Sequence, residues 1–157
     1  MELTTAQRAT LKANILATPE AAGYYSQGDL GKLAEFYNAQ AAPAFTVWKT
    51  RVELTAVGEA FNSSEVGGLT TANTNRLMVM ESYSGGVFNP SRADTRAGFD
   101  GVFSGAGGAS TRAALLALWK RTASRLEKLF ATGTGSDAVP ALLVVEGVID
   151  YLTFVGI

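Results

Sequence analysis

The side chains that could do chemistry in this chain of 157 residues are carboxylates, hydroxyls, lysines and arginines, because it holds neither histidine nor cysteine. That removes imidazole bases, thiolate nucleophiles, disulfides and nearly all zinc chemistry. The carboxylates Glu35, Glu53, Glu59, Glu65, Glu81, Asp94, Asp100, Glu127, Glu146 and Asp150 are scattered, with no pair in a recognisable motif. A glycosidase-type acid and base would need two of them to converge in one cleft. Gly105, Gly107 and Gly108 stand before a helix start, as in a phosphate cradle, but the Lys-Ser/Thr of a P-loop is missing, which favours a tightly bent loop. No enzymatic activity, cofactor or metal is expected. Arg121, Arg125 and Lys128 recur at spacings of four and three, so on a helix they would share one face. Such a stripe is either solvated or meets an acidic partner or passing nucleic acid, and Arg92 and Arg96 could extend it. The formal net charge of −1 argues against strong sequence-independent nucleic-acid binding.

The element expected to carry that stripe is a long central helix from Ser110 to Thr132, STRAALLALWKRTASRLEKLFAT. Ser110 would cap it, Leu115, Leu118, Trp119, Thr122, Leu126, Leu129 and Phe130 would make its apolar stripe, and Gly133 would stop it. At 1.5 Å per residue it would be roughly 30 Å long. The other segments are expected to pack on it, with Leu118, Leu126 and Leu129 inside. Before it, Leu3–Ala17 reads as a helix capped by Thr4 or Thr5, and Thr18-Pro19-Glu20 opens a second, short one. Leu30 to Gln40 forms a third. Pro43 blocks continuation, and Phe45, Val47 and Trp48 favour extended chain or a buried linker. AVGEAF gives a turn or two of helix, and NSSEVGG reads as a loop. Thr70 or Thr71 opens a helix through Tyr83, and Ser91 reads as the cap of another with Asp94 three residues on, its Phe99, Val102 and Phe103 pointing inward. The aromatic set Tyr24, Tyr25, Phe36, Tyr37, Phe45 and Trp48 reads as core, with an assembly interface as the alternative.

After the Gly/Ser/Thr loop TGTGSDAVP the character changes. In ALLVVEGVIDYLTFVGI, Leu142 to Val145 is a short β-prone run, Glu146-Gly147 a turn, and Asp150 the cap of a last helical turn. The segment is almost uncharged and apolar to its end, so it is expected to be held by its own core or by a neighbour, with the neighbour favoured. The expected organisation is a mainly α, compact helical domain over residues 1–139, with six or seven helices, and a partly extended C-terminal tail over 140–157 that carries a short strand or hairpin. That tail is read as a docking segment able to leave its own domain, with Leu142, Val144, Tyr151, Leu152 and Phe154 as contact residues beside Arg121, Arg125 and Lys128. Apolar residues make up 47% and charged residues 17%, a balance suited to a surface covered by neighbours or to a plain well-packed monomer. No apolar run reaches the ~18 residues of a membrane span. Glu2 and the lack of an apolar core after it argue against a signal peptide, so synthesis in a cytoplasm is expected.

Three stretches carry a family resemblance: LTTAQRATLKANILATPE near the start, AEFYNAQAAPAFTVWKT from Ala34 to Thr50, and KRTASRLEKLFATGTG later. Their order and spacing resemble those of small virion proteins of tailed bacteriophages found among the head and neck proteins. The resemblance spans most of the chain, with Leu54 to Gly86 the least distinctive part. It implies a head–tail adaptor or head-completion protein near the portal: helical, homo-oligomeric in a twelve-fold ring, and docked by a terminal segment on the portal. Its neighbours would be the portal and neck or tail proteins, with packaged DNA in the channel, and its location the virion, after synthesis in the host bacterial cytoplasm. The alternatives are a capsid decoration or tail-terminator protein and, further off, a phage-encoded host-directed binding module. No site motif carries individual residues over from that family.

Overall fold

A computed structural model describes residues 2–157. Its elements in chain order are α1 (Thr5–Ala17), α2 (Pro19–Ser26), α3 (Leu30–Asn38), β1 (Thr46–Trp48), β2 (Val52–Glu53), α4 (Leu54–Glu59), α5 (Ser63–Gly67), α6 (Thr71–Tyr83), β3 (Val87–Phe88), α7 (Ala93–Val102), α8 (Ala109–Leu118), β4 (Lys120–Thr122) and α9 (Arg125–Phe130). Short 3-10 turns lie at Ala106–Gly108 and Tyr151–Phe154. The protein is mainly α, as expected, with nine α-helices among the described residues where six or seven were expected. Its strands form two small two-stranded sheets, β1 with β4 and β2 antiparallel to β3. The expected C-terminal strand is present only as isolated bridges from Ala141 to Val47 and from Leu142 to Thr132.

The chain divides into two compact units: residues 1–47 with 122–157, and residues 48–121 between them. In the first unit α1 starts with a full capping box, in which Thr4 Oγ1 accepts from the Gln7 amide and Gln7 Oε1 from the Thr4 amide. Its Leu11 and Ile15, four apart, are buried against Ala21 of α2, Leu33 and Tyr37 of α3, and Leu126 of α9. The C-terminal run closes this core with Val145, Ile149 and Phe154. In the second unit an aromatic cluster dominates: Phe99 lies edge-on to Phe88 at 5.0 Å and to Trp119 at 5.4 Å. Val52, Val57, Leu77, Val102, Phe103 and Leu115 complete that core, so Phe99, Val102 and Phe103 point inward as expected.

The long central helix is not formed. Helix α8 ends at Leu118, β4 follows, and α9 starts afresh at Arg125. The restart is a second capping box: Ser124 Oγ accepts from the Glu127 amide at 3.2 Å, and Glu127 Oε2 accepts from the Ser124 amide at 2.9 Å. Of the residues expected inside, Leu126 is buried, whereas Leu118 and Leu129 are only half-buried. Ser110 lies within the first turn of α8 rather than at its cap, which falls on Gly108. Ser91 does not cap α7; its hydroxyl donates to Asn89 Oδ1 at 2.6 Å, and Arg92 holds the cap position. NSSEVGG contains α5 rather than a plain loop, because Asn62 Oδ1 accepts from the amides of Ser64 and Glu65.

Candidate functional site

The basic residues fall on different elements. Arg121 lies in β4, half-buried, while Arg125 and Lys128 lie one turn apart on α9, so the break at Trp119 dissolves the expected three-residue stripe. Arg125 is committed within its own unit: its Cζ stands 3.9 Å from the centre of the Phe36 ring, and its Nη1 donates to the Phe36 carbonyl at 3.3 Å. That carbonyl belongs to the last turn of α3, where a cation is favoured by the helix dipole. Lys128 Nζ lies 5.7 Å from the centre of the Phe45 ring. Neither Arg125 nor Lys128 forms an ion pair among the described residues. The two cations and Tyr37 line an open cavity of about 480 Å³. Burial pushes the Tyr37 hydroxyl up to about 12, with the Arg125 charge opposing, and that hydroxyl donates to Asn14 Oδ1 at 2.8 Å. Arg92 and Arg96, expected to extend the stripe, sit in the other unit, where Arg92 pairs with Asp94 at 2.6 Å and Arg96 covers Trp48.

The glycine loop before α8 takes the bent-loop reading. A Cβ at Gly108 would collide with the Phe103 backbone, which sets the need for glycine there. The place an anion would take at the start of α8 is filled by Glu65, whose two oxygens accept from the amides of Ser110 at 2.9 Å and Thr111 at 2.7 Å. The Thr111 side chain first, and then the amides of Thr111 and Ser110, hold the Glu65 carboxyl down to about 2 against a smaller upward push from desolvation. Among the described residues no group of three or more acidic side chains is placed to hold a metal, and no helix is long and apolar enough to cross a membrane.

The C-terminal segment is tied down by polar clamps. The Asn38 amide pairs with Ile149 as a strand neighbour would, donating to its carbonyl at 2.7 Å and accepting its amide at 3.0 Å. Glu127 Oε1 accepts from the Gly147 amide at 3.4 Å, so the carboxylate that closes the capping box of α9 also reaches the tail. Tyr25 donates its hydroxyl to the Ile157 carbonyl. With the backbone fixed, alternate side chains go opposite ways: Ala141 and Val145 inward, Leu142 and Val144 outward. Beyond Gly147, Ile149 and Phe154 are buried, whereas Val148, Tyr151, Leu152 and Val155 are exposed, Val148 by 73%. Of the expected contact residues, Leu142, Val144, Tyr151 and Leu152 are therefore on the surface. Phe154 is not: at 2% exposure, its ring centre 6.2 Å from that of Tyr37, it belongs to the core. Val139, Val148 and Val155 join the outward set and were not singled out from the sequence; the alternation of buried and exposed apolar residues was their signal.

The arrangement offers exposed apolar side chains on a backbone held by the Asn38, Glu127 and Tyr25 hydrogen bonds. No family model matches the chain, and neither a curated protein nor a solved structure matches it.

Proposed function

We propose that this chain is a non-enzymatic structural subunit of a tailed-bacteriophage virion, a head–tail connector that assembles as a homo-oligomeric ring and docks on the portal. The observation that carries the reading is the C-terminal segment, which buries Val145, Ile149 and Phe154 in its own unit while leaving Leu142, Val144, Val148, Tyr151, Leu152 and Val155 exposed. Apolar side chains fixed on an ordered backbone make a preorganised contact, because little conformational entropy remains to be lost on association. In a ring, one face of each subunit meets a different face of the next, so an outward apolar strip on one copy is matched by another surface of its neighbour. The low charge of the chain and the resemblance of its three stretches to phage head and neck proteins support the same reading. Lys128 is the cation assigned to an acidic portal surface or the DNA channel, whereas Arg125 holds the last turn of α3.

The test is the mass of the full chain in solution by light scattering over a range of concentrations, beside Val144→Asp with Leu152→Asp. The native chain is expected to assemble, and the double variant to stay monomeric with unchanged helical circular dichroism. A native chain that remains monomeric at every concentration removes the ring. Averaged images of the phage particle bearing a labelled chain are expected to show density at the neck; density over the capsid shell would assign a decoration protein instead.

A further inference from the structure

The second unit contains a cavity of about 400 Å³ that the connector reading does not use. Both tryptophans of the chain, Trp48 and Trp119, line it, together with Arg96, Arg112, Asp100 and Leu116. The Arg96 guanidinium stands 4.2 Å from the centre of the Trp48 ring. Each arginine is anchored by Nη1 alone: Arg96 on the carbonyls of Pro90 and Ser91, and Arg112 on those of Phe103 and Gly105. Among the described residues neither guanidinium has an ion-pair partner, and Nε and Nη2 of both make no hydrogen bond. Asp100 sits in the same wall unpaired, so the cavity carries a net positive charge with the forks of two arginines free. Trp119 is 3% exposed, yet its indole N–H has no hydrogen-bond partner among the described residues.

We propose that this cavity binds a small aromatic anion. Its carboxylate or phosphate is held by the free edges of Arg96 and Arg112, which match such groups in a bidentate manner. Its ring lies against the indoles and Leu116 that line the cavity. Asp100 selects ligands that also carry an N–H or O–H donor. The positive charge requires the anion, and the indoles with the aliphatic wall require the ring.

Because the chain has no other tryptophan, its tryptophan fluorescence, excited selectively over the tyrosines, reports on this cavity. The full chain is titrated with para-hydroxybenzoate and with adenosine monophosphate, using calorimetry as a second readout. Acetate, inorganic phosphate and benzyl alcohol are the controls. At least one aromatic anion is expected to bind saturably, about tenfold or more tighter than every control. Leu116→Asp, at a position 44% exposed, is expected to weaken that binding by about tenfold without changing Tm. Binding of hydroxybenzoate alone assigns a carboxylate ligand, and of the nucleotide alone a phosphate ligand. Binding of neither, binding no tighter than acetate or phosphate, or binding unchanged in Leu116→Asp overturns the proposal.

Discussion

Helix α8 begins with glycine at its cap position, so no side chain of its own can accept from its first amides. Glu65, on α5, takes that place from 45 and 46 residues away and is acceptor and counter-charge together. Because its folded carboxyl ionises near 2 rather than at its ordinary 4.5, Glu65 favours folding at and above about pH 4.5. That contribution fades as the pH falls toward 2, where the folded group also becomes protonated. Glu65→Gln is therefore expected to melt below the native chain at neutral pH, and the gap in Tm is expected to close between about pH 4.5 and 2. Melting curves by circular dichroism across that range decide it: a gap of constant size would mean that the carboxylate charge is not what caps α8. Nothing local announced this role. Ser110 looked like the cap because cap preferences are read over three or four residues, and a carboxylate arriving from another helix lies outside that window.

At the scale of elements, the expected Ser110–Thr132 helix failed where apolar periodicity and start signals disagree. Leu115, Trp119 and Leu126 keep helical spacing and are buried, but in two different cores, and Leu118 and Leu129 of the expected stripe are only half-buried, because the backbone between them changes form. The sequence did hold the break: Ser124-Arg125-Leu126-Glu127 satisfies the S-x-x-E pattern of a helix start. What it could not show is how Ala123 pairs, with its amide donating to the Phe45 carbonyl at 2.8 Å and its carbonyl accepting from the Ala41 amide at 2.9 Å. Those two bonds hold the residue before the cap in extended form. They depend on chain some 80 residues away, which no short window contains. The same limit hid the Asn38 clamp on Ile149, whereas the Thr4-x-x-Gln7 box, the Asp150 cap and the inward Phe99 and Val102 were all local and legible. Ser124→Ala separates the two descriptions by sign. If α9 starts at Ser124, losing the cap costs about 1 kcal/mol. Inside one continuous helix the same change would be neutral or stabilising, since alanine is the best helix former. Urea denaturation of the two proteins measures the difference.

For the molecule as a whole, the C-terminal segment decides between two uses of the same residues. Read from the sequence, residues 140–157 form a tail that can leave, and removing them would spare a soluble helical subunit. In the structure Val145, Ile149 and Phe154 are part of the core that Leu11, Ile15, Leu33, Tyr37 and Leu126 build. Burial of side chains of this size contributes about 1.5–3 kcal/mol each, so losing the three removes on the order of 5–9 kcal/mol. That is comparable with the whole stability of a typical domain, about 5–15 kcal/mol. Deletion of 140–157 is therefore expected to unfold the unit formed by residues 1–47 and 122–157, seen as loss of helical circular dichroism and of amide protection in α1 and α3. Substitutions on the outward side behave otherwise. Val148→Ser and Tyr151→Ser touch exposed side chains, so each is expected to shift stability by no more than about 0.5 kcal/mol. If the segment also joins subunits, the same two changes weaken assembly, and the effects on folding and on association come apart in one pair of measurements. A truncated chain that keeps its helices and full protection would return the segment to a detachable tail, and the buried positions of Ile149 and Phe154 would then have to be dispensable for the core they fill.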